Sequence, residues 1–204
     1  MFHRSYSSAL LEEAVDQLAS LPGVGRRTAL RLALHLLGEP RENVEQFAGA
    51  LVRLRSDIRH CARCGMISDD STCPVCDDPR RNRTVVCVVE SLRDVLSIEN
   101  TGQYNGLYHI LGGIISPIDG VGPGDLRIRE LSDRLAGGEI AEVVLALSTS
   151  MEGETTAYYL YKQITQYPVK VTTIARGVGF GDDLEYTDEL TLGRSIANRQ
   201  PFNP

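Results

Sequence analysis

From residue 61 the chain reads Cys61-Ala-Arg-Cys64-Gly-Met-Ile-Ser-Asp-Asp-Ser-Thr-Cys73-Pro-Val-Cys76. This stretch holds two C-x-x-C pairs separated by eight residues. In such a pair two thiolates point at one centre while backbone N–H groups point at the sulfurs, so two pairs complete a closed tetrahedral shell for zinc. A closed shell has no position for a substrate. We therefore predict one structural Zn²⁺ per chain.

The cysteine pattern also allows two other interpretations, four ordinary thiols or two disulfide bonds. The chain opens with no charged segment followed by an apolar segment, and it has no apolar run of about 18 residues that would span a bilayer. We therefore expect a cytoplasmic protein without a membrane partner, where paired cysteines favour zinc over disulfides. Cys87 lies in the apolar run Val85–Val89, as expected of a small buried thiol. His60 is left outside a shell that four cysteines already fill.

The charge of the chain is unevenly distributed. The net charge is −6 and the isoelectric point is about 5.3, which is unusual for a protein that binds nucleic acid. Residues 1–84 carry 12 basic and 11 acidic side chains, whereas residues 85–204 carry 9 and 16. Any contact with DNA must therefore depend on locally placed arginines, and we expect a single chain to bind weakly.

The first part of the chain predicts a helix-hairpin-helix. Apolar residues repeat at helical spacing over Ser7–Ala19 and again over Ala29–Leu37, with the segment Leu21-Pro-Gly-Val-Gly25 between the two runs. Proline ends the first helix, while Gly23 and Gly25 allow a tight turn and a close approach of the backbone to a partner. This combination is typical of contact with the DNA backbone without sequence preference.

Three arginines accompany the turn. The start of the second helix presents free N–H groups that suit a phosphate oxygen, and Arg26, Arg27 and Arg31 stand beside it. We predict that these arginines, with Gly23 and Gly25, contact DNA phosphates. The apolar helix faces also suit an oligomer interface with solvated arginines, and the two interpretations are compatible.

A third helix is predicted over Glu42–Arg59, with apolar residues on one side and arginines elsewhere. It leads directly into the cysteine pairs. We expect these pairs to act as a rigid joint between the helical region and the remainder of the chain.

After the polar residues 77–83, short apolar runs alternate with helical patterns. The predicted strands are Thr84–Glu90, Leu107–Leu111, Glu142–Leu147 and Val169–Ile174. The predicted helices between them are Ser91–Ser97, Leu126–Ala136 and Glu154–Gln166, and residues 112–125 form a long loop. Alternation with this spacing predicts a small parallel sheet, so the fold class is α/β with an N-terminal helical region.

Three glutamates are predicted to gather at one edge of this sheet. Glu90 ends the first strand, while Glu152 and Glu154 lie in the loop that leaves the Glu142 strand. Ligands collect at the C-terminal ends of parallel strands, and carboxylate oxygens suit Mg²⁺. These residues form a candidate Mg²⁺ site, although the N-terminus of a helix also attracts such acids without any metal.

A final helix is predicted through Leu190, Leu192 and Ile196, with Thr187 or Asp188 as its cap. A helix this short is not stable alone. It must therefore pack on its own chain or on a neighbouring copy, and both arrangements remain open.

Several segments of the chain match one known family. They are Leu21-Pro-Gly-Val-Gly25, Arg27–Leu37, Cys61-x-x-Cys64, Cys73-Pro-x-Cys76, Val88-Val-Glu90, Tyr104–Gly113, Ile115–Gly120, Glu152-Gly-Glu154 and Asp183–Asp188. In this order they resemble the RecR family of bacterial recombination mediators from end to end. The resemblance implies that the α/β part is a Toprim domain, the module of topoisomerases and DnaG-type primases. We expect a helical region at 1–59, a zinc finger at 60–78, the Toprim domain at 79–175 and a C-terminal segment at 176–204.

The resemblance implies a protein without catalytic activity that works in DNA repair and recombination. Members act with RecO, and separately with RecF, to help load RecA onto single strands coated by SSB at gaps and ends. They form ring-like tetramers large enough to encircle duplex DNA, in which the N-terminal helices and the C-terminal segment make the contacts between subunits. We therefore expect a homo-oligomer, a dimer or a tetramer ring, that holds single- and double-stranded DNA without sequence specificity. The position matching Arg27 is a basic residue implicated in DNA binding, and several copies facing one hole would bind together more strongly than one.

Two other functional classes remain open. A Toprim-type metal-dependent nuclease or primase-like enzyme would use the three glutamates, but such enzymes usually carry Asp-x-Asp where this chain has Glu152-Gly-Glu154. A zinc-ribbon transcription regulator would need a helix that reads base edges beside the cysteines, and the sequence shows no candidate for it. The chain also lacks a Walker A loop, so nucleotide hydrolysis is not expected.

Overall fold

The computed structural model describes residue 6, residues 8–179 and residues 181–199. The chain divides into two compact units, Met1–Ile58 and Arg59–Pro204. The first is helical, and the second holds the four cysteines and a parallel sheet. Within the described ranges, no helix combines the length and apolarity needed to cross a bilayer. The predicted fold class is confirmed, while the four domain boundaries stay predictions.

The first unit contains the helices α1 (Ala9–Ala19), α2 (Arg26–Gly38) and α3 (Arg41–Asp57). The hydroxyl of Ser8 accepts a hydrogen bond from the first turn of α1 and caps it. The predicted start of this helix at Ser7 lies outside the described residues. α1 and α2 pack against each other around Val15, Ala29 and Ala33, which are buried. The helix-hairpin-helix predicted from the sequence therefore forms.

α3 ends earlier than predicted and leaves an apolar face uncovered. The sequence predicted a helix as far as Arg59, but Ile58 adopts an extended backbone and Arg59 pairs in a strand. None of the residues of α3, all of which the structure describes, is buried. Its large apolar side chains are exposed, with Phe47 at 48% and Leu51 at 54%.

The second unit begins with the cysteine-rich segment. Strands β1 (Arg59–His60) and β2 (Ile67–Ser68) pair antiparallel on either side of the first cysteine pair. The short helix α4 (Pro74–Asp77) holds the second pair, with Cys73 as its N-cap and Cys76 within it. Each cysteine pair is therefore fixed by its own element of secondary structure.

The parallel sheet follows. Its strands are β3 (Asn82–Val89), β4 (Gly106–Ile110), β5 (Glu142–Leu145) and β6 (Lys170–Thr173), in the spatial order β4-β3-β5-β6. The connecting helices are α5 (Leu92–Asn100), α6 (Ile128–Ala136) and α7 (Met151–Ile164). All pairings are parallel, so the C-terminal ends of the four strands share one edge.

Each face of the sheet has its own core. Val86 and Val88 of β3 pack in one buried cluster with residues of α6 and α7. Cys87 and Val89 belong to a second cluster with Val95 of α5 and the four cysteines of the cysteine-rich segment. The buried thiol predicted for Cys87 is confirmed. Because alternate residues of a strand face opposite sides, the cysteine-rich segment is part of the core on one face of the sheet.

α7 starts before the predicted position. The sequence predicted a helix from Glu154, with Glu152 in a loop, whereas α7 begins at Met151. The cause is Ser150, whose hydroxyl accepts a hydrogen bond from the N–H of Gly153 at 3.0 Å and caps the helix. Glu152 and Glu154 therefore lie in the first turn of α7.

The last described helix is α8 (Glu189–Ala197), which the sequence predicted. Asp188 caps it by accepting a hydrogen bond from the N–H of Thr191 at 2.9 Å. The N–H of Val178 donates to Oγ of Ser195 over 3.0 Å.

Candidate functional site

The four cysteine sulfurs lie together. The Sγ atoms of Cys61, Cys64, Cys73 and Cys76 are all within 4.8 Å of one another, and the four residues are buried. The Sγ atoms of Cys64 and Cys73 are 3.5 Å apart. A tetrahedral zinc ion with Zn–S bonds of about 2.3 Å needs sulfurs about 3.8 Å apart. The cluster therefore has the size and the ligand set that a zinc ion requires.

Backbone N–H groups point at these sulfurs. The N–H of Met66 lies 3.4 Å from Sγ of Cys64, and the N–H of Cys76 lies 3.4 Å from Sγ of Cys73. Such donors stabilise thiolate charge and orient the ligands of a metal. Nδ1 of His60 lies 3.2 Å from the carbonyl oxygen of Gly65, to which it donates. His60 thus stays outside the cluster, as the sequence predicted.

A half-buried arginine lies close to the cysteines. Nη1 of Arg134 in α6 donates to the carbonyl oxygen of Tyr108 in β4 over 2.7 Å. Burial lowers the pKa of Arg134, while the nearby Cys76 and Cys64 act in the opposite direction. Four thiolates around a divalent ion leave a net negative charge, so this guanidinium offsets part of the charge of an occupied cluster.

The hairpin turn leads into α2 without a side-chain cap. Gly23 has φ = +80°, a conformation that L side chains rarely adopt. Gly25 is the N-cap of α2 and has no side chain that could accept from the first turn. The N-terminus of α2 is therefore open to an external acceptor such as a phosphate oxygen.

The three hairpin arginines differ in their surroundings. Nη1 of Arg26 is 2.8 Å from Oδ1 of Asp16 in α1, so its charge is already partly balanced. Arg27 and Arg31 are exposed and form no ion pair with any described residue. Together with Leu30 and Leu34 they line a shallow groove on α2. Helical spacing alone does not distinguish the three, whereas the structure leaves Arg27 and Arg31 without an ion-pair partner among the described residues.

The three glutamates occupy the predicted edge of the sheet but do not share a site. Oε1 of Glu90 accepts a hydrogen bond from the N–H of Ser148 at 2.5 Å. The carboxylate of Glu154 pairs with Arg176, and Nη1 of Arg194 lies 3.9 Å from it. Among the described residues, the cysteines form the single group of metal-ligating side chains that is close enough to hold an ion. Mg²⁺ binding by the glutamates stays a prediction.

Sequence reasoning did not find several residues that shape this edge. Arg176 and Arg194 reach Glu154 from after β6 and from α8, and Ser148 reaches Glu90 from the loop after β5. Gly153 is buried, and a Cβ at this position would lie 2.3 Å from the carbonyl oxygen of Ser148. No local motif marks these residues, because the fold brings them together from distant parts of the chain.

Four family models match successive parts of the chain. They are a RecR helix-hairpin-helix model over residues 11–55, a RecR four-cysteine zinc finger domain over residues 58–78, a Toprim domain over residues 84–175 and a RecR C-terminal model over residues 177–200. Their order is that of the observed elements.

Whole proteins are similar over nearly the full length. Recombination protein RecR of Porphyromonas gingivalis is 58% identical over 200 residues, which cover 98% of this chain and 97% of that protein. Recombination protein RecR of Parabacteroides distasonis is 57% identical over 201 residues, with the same coverage. The protein of that name from Flavobacterium johnsoniae is 52% identical over 197 residues, covering 97% of this chain and 96% of the relative. The chain therefore belongs to the RecR family of recombination proteins.

Proposed function

We propose that this protein is a DNA repair and recombination mediator of the cytoplasm. In this proposal a ring-like oligomer of the chain binds DNA and, with RecO or RecF, helps load RecA onto SSB-coated single strands at gaps and ends. The observation that carries the proposal is the similarity, over 98% of the chain, to proteins named Recombination protein RecR. Contacts and exposed side chains of the described residues support the proposed zinc site, DNA contact and oligomer.

One structural Zn²⁺ ion is proposed for the cysteine cluster. The sulfurs have the spacing of a tetrahedral site, and backbone N–H groups and Arg134 surround them with positive charge. Four sulfur ligands fill the shell of the ion, which leaves no position for water or substrate. When bound, the ion would fix the two cysteine pairs relative to each other. Its contribution would be to folding rather than to chemistry.

DNA contact is proposed for the hairpin. Arg27 and Arg31 would neutralise phosphates, with Gly23 and Gly25 allowing the backbone to come close. Arg26 would contribute less because Asp16 already pairs with it. Contacts of this kind read phosphate rather than base edges, so binding to single- and double-stranded DNA would not depend on sequence. A chain with a net charge of −6 would need several copies acting together.

A homo-oligomer, a dimer or a tetramer, would supply several copies of the hairpin arginines. The apolar side chains of α3 are exposed in the single chain, and so are Leu190 and Ile196 of α8 at 65% and 62%. Exposed apolar faces of this kind are typical of protein–protein contacts. In a ring they would be covered by neighbouring copies, and the hairpin arginines would face the DNA.

Catalysis is not part of the proposal. Oε1 of Glu90 accepts from the Ser148 N–H and the carboxylate of Glu154 pairs with Arg176, and among the described residues these glutamates do not form a group close enough to hold a metal ion. A metal-dependent nuclease or primase-like enzyme is the alternative. It predicts cleavage or synthesis that depends on a divalent metal and is lost in Glu90→Gln.

The test is the rate of RecA filament formation on SSB-coated gapped DNA, with RecO present and the chain added or omitted. We expect acceleration that requires both proteins and that Arg27→Glu abolishes. Arg41→Glu, which reverses an exposed charge on α3, serves as the matched control and should accelerate normally. No acceleration by the wild-type chain, with RecO, SSB and RecA shown to be active, would overturn the proposal. Metal-dependent cleavage of the gapped DNA would then support the alternative.

A further inference from the structure

We propose that the outer edge of β6 is a docking site for an extended acidic segment of a partner protein, which adds to the parallel sheet as a further strand. The site is called the β6 groove and consists of the outer edge of β6 together with the groove between this strand and α7. An edge strand accepts a peptide in this way when its backbone groups are unpaired and side-chain pockets lie beside it.

One edge of the sheet, β4, is already closed by contacts within the chain. Arg134 donates to the carbonyl oxygen of Tyr108 over 2.7 Å, and the N–H of Ile110 donates to a carbonyl oxygen of the cysteine-rich segment over 2.8 Å. Arg81 donates to the carbonyl oxygen of Gly106 over 3.3 Å. The outward-facing residues of β4 therefore have partners, and a further strand cannot pair there without displacing them.

The other edge, β6, is open. The N–H of Lys170 donates to the carbonyl oxygen of Ala141 over 2.9 Å, so Lys170 faces β5. Alternate residues of a strand in a parallel sheet bond to opposite sides, which directs the N–H and C=O groups of Val171 and Thr173 away from β5. No described residue bonds to these outward groups. They are available to the backbone of an added strand.

A groove of about 630 Å³ lies beside this edge, between β6 and α7. Tyr158 and Tyr161 of α7 line one wall and are 63% and 45% exposed, while Val171 and Thr173 line the other. Exposed tyrosines are typical of protein–protein contacts because their rings offer a large apolar area and a polar tip. Every second side chain of an added strand would enter this groove.

The charge of the groove suits an acidic segment. The chain contains two lysines, Lys162 of α7 and Lys170 of β6. Nζ of Lys162 lies 5.3 Å from the ring centroid of Tyr158, and Lys170 has a side chain that is 71% exposed, with Nζ 4.0 Å from Glu142. Because α7 connects two parallel strands, its end and the start of β6 lie at the same end of the groove. Two ammonium groups there face one carboxylate, within a half of the chain that is otherwise acidic.

Other occupants fit this edge less well. The β6 strand of a second copy would bring the same two lysines to a short edge, where like charges repel. Along its backbone DNA offers phosphate acceptors, whereas the outward groups of Val171 and Thr173 include both donors and acceptors. A peptide strand supplies the matching acceptor and donor at every second residue.

The first test uses a short fluorescein-labelled peptide in which valine and aspartate alternate, with binding to the full-length protein measured by anisotropy. Wild type and Thr173→Ala should bind it, and Thr173→Pro should bind about 3- to 10-fold more weakly. Proline removes the outward N–H of an exposed edge residue without breaking a bond to β5. Thr173→Ala is the matched control because it removes the side chain and keeps the N–H. No binding by wild type, or equal binding by the two variants, would overturn the proposal.

Charge is tested in the same assay. Lys170→Glu should weaken binding of the peptide, whereas Arg129→Glu, which makes the same change of charge on an exposed residue of α6, should not. Equal losses in both variants would mean that net charge rather than the β6 groove attracts the peptide, and would contradict the proposal.

Two modified peptides test the backbone pairing without changing the protein. One carries N-methyl groups on its valines and the other on its aspartates. Since the N–H groups of alternate residues face opposite sides of a strand, one of the two peptides should lose binding and the other should keep it. Equal affinities of the two would show that the peptide does not add as a strand.

The last measurements identify the occupant. Amide exchange at Val171 and Thr173 should become at least about threefold slower when the peptide binds. An unlabelled oligothymidine should not displace the peptide, and Thr173→Pro should sediment with the mass of wild type. Displacement by oligothymidine would make the β6 groove a DNA site, and a lower mass would make it a contact between copies of the chain. Either result would overturn the proposal, whether or not the protein loads RecA.

Discussion

The N–H of Ile110, the last residue of β4, donates a hydrogen bond of 2.8 Å to the carbonyl oxygen of Cys64. This bond joins the first cysteine pair to the end of the parallel sheet, and the four cysteines belong to the same buried cluster as Val89 and Tyr108. The cysteine-rich segment is thus part of the core on one face of the parallel sheet. Loss of its metal should therefore destabilise the sheet as well as the segment itself.

Cys64→Ser should lose zinc and fold poorly. The substitution removes one of four ligands, at the residue whose carbonyl accepts from Ile110 at the end of β4. Because metal binding contributes directly to folding in small four-cysteine sites, we expect less than one zinc ion per chain and a lower melting temperature of the whole second unit. Atomic absorption and circular dichroism measure the two quantities.

Cys87→Ala provides the control for this experiment. Cys87 is buried on the same face of the sheet but lies outside the sulfur cluster. It should keep one zinc ion and lose only about 1 kcal/mol for the small volume removed. A stable, metal-free Cys64→Ser protein would refute the structural role of the ion.

Arg27→Glu should abolish DNA binding and leave the oligomer intact. Arg27 is exposed and pairs with no described residue, so its charge is available to phosphate. Fluorescence anisotropy with single- and double-stranded oligonucleotides should show no measurable binding at concentrations that saturate the wild-type protein. Sedimentation should show an unchanged mass.

Two matched substitutions make this test specific. Arg26→Glu should weaken binding less, because Asp16 already balances Arg26. Arg41→Glu changes the charge by the same amount at the start of α3 and should leave affinity unchanged. Equal losses in all three would mean that net charge rather than the hairpin controls binding. Normal binding by Arg27→Glu would remove the residue from the interface.

The features predicted correctly from the sequence are those with a local cause. The spacing of Cys61, Cys64, Cys73 and Cys76 depends on ligand geometry within 16 residues, and the hairpin depends on the turn at Gly23. The alternation of apolar runs predicted the four strands to within a few residues. Local composition is enough for such elements because backbone sterics and burial act over a few residues.

The features missed from the sequence depend on distant contacts. α3 stops at Asp57 because Arg59 pairs with Ser68 across the first cysteine pair. The pairing of Glu154 with Arg176 and Arg194 joins α7 to residues that are 22 and 40 positions away. Glu90 is 58 positions from Ser148, its hydrogen-bond donor. Sequence periodicity carries no information about such pairs, and Mg²⁺ binding by the glutamates stays a prediction.

Gly153→Ala should destabilise the protein although alanine favours helices. A Cβ at Gly153 would lie 2.3 Å from the carbonyl oxygen of Ser148, and main chain cannot give way as a flexible side chain can. The clash would displace the loop that holds Glu90, at a net cost of about 1–3 kcal/mol. Gly193→Ala in α8 is the control, since nothing lies within 4 Å of its added Cβ. It should be neutral or stabilising by up to about 1 kcal/mol. Equal rises in melting temperature for both variants would contradict the close approach.

Glu99→Gln should weaken the attachment of α5 to the sheet. Oε1 of Glu99 accepts from Nη1 of Arg81 at 2.8 Å and from the hydroxyl of Tyr108 at 2.6 Å. The side chain of Arg81 is only 14% exposed, so removing the charge of Glu99 leaves a shielded guanidinium without a counter-ion. We expect a loss of about 1.5–3 kcal/mol at pH 7 in urea unfolding. Glu45→Gln, which removes the exposed partner of Arg41, should cost at most about 1 kcal/mol.

The effect of Glu99→Gln should also depend on pH. The hydrogen bond from Arg81 holds the pKa of Glu99 below its usual value, which is about 4.3 in an unfolded chain. A carboxyl whose pKa is lower in the folded state stabilises the fold above its unfolded pKa, and this contribution is lost as the pH falls through the folded value. The difference in stability between wild type and Glu99→Gln should therefore be constant near neutral pH and shrink below about pH 4. A difference that persists unchanged into acid would show that Glu99 acts through its shape and packing rather than through its charge.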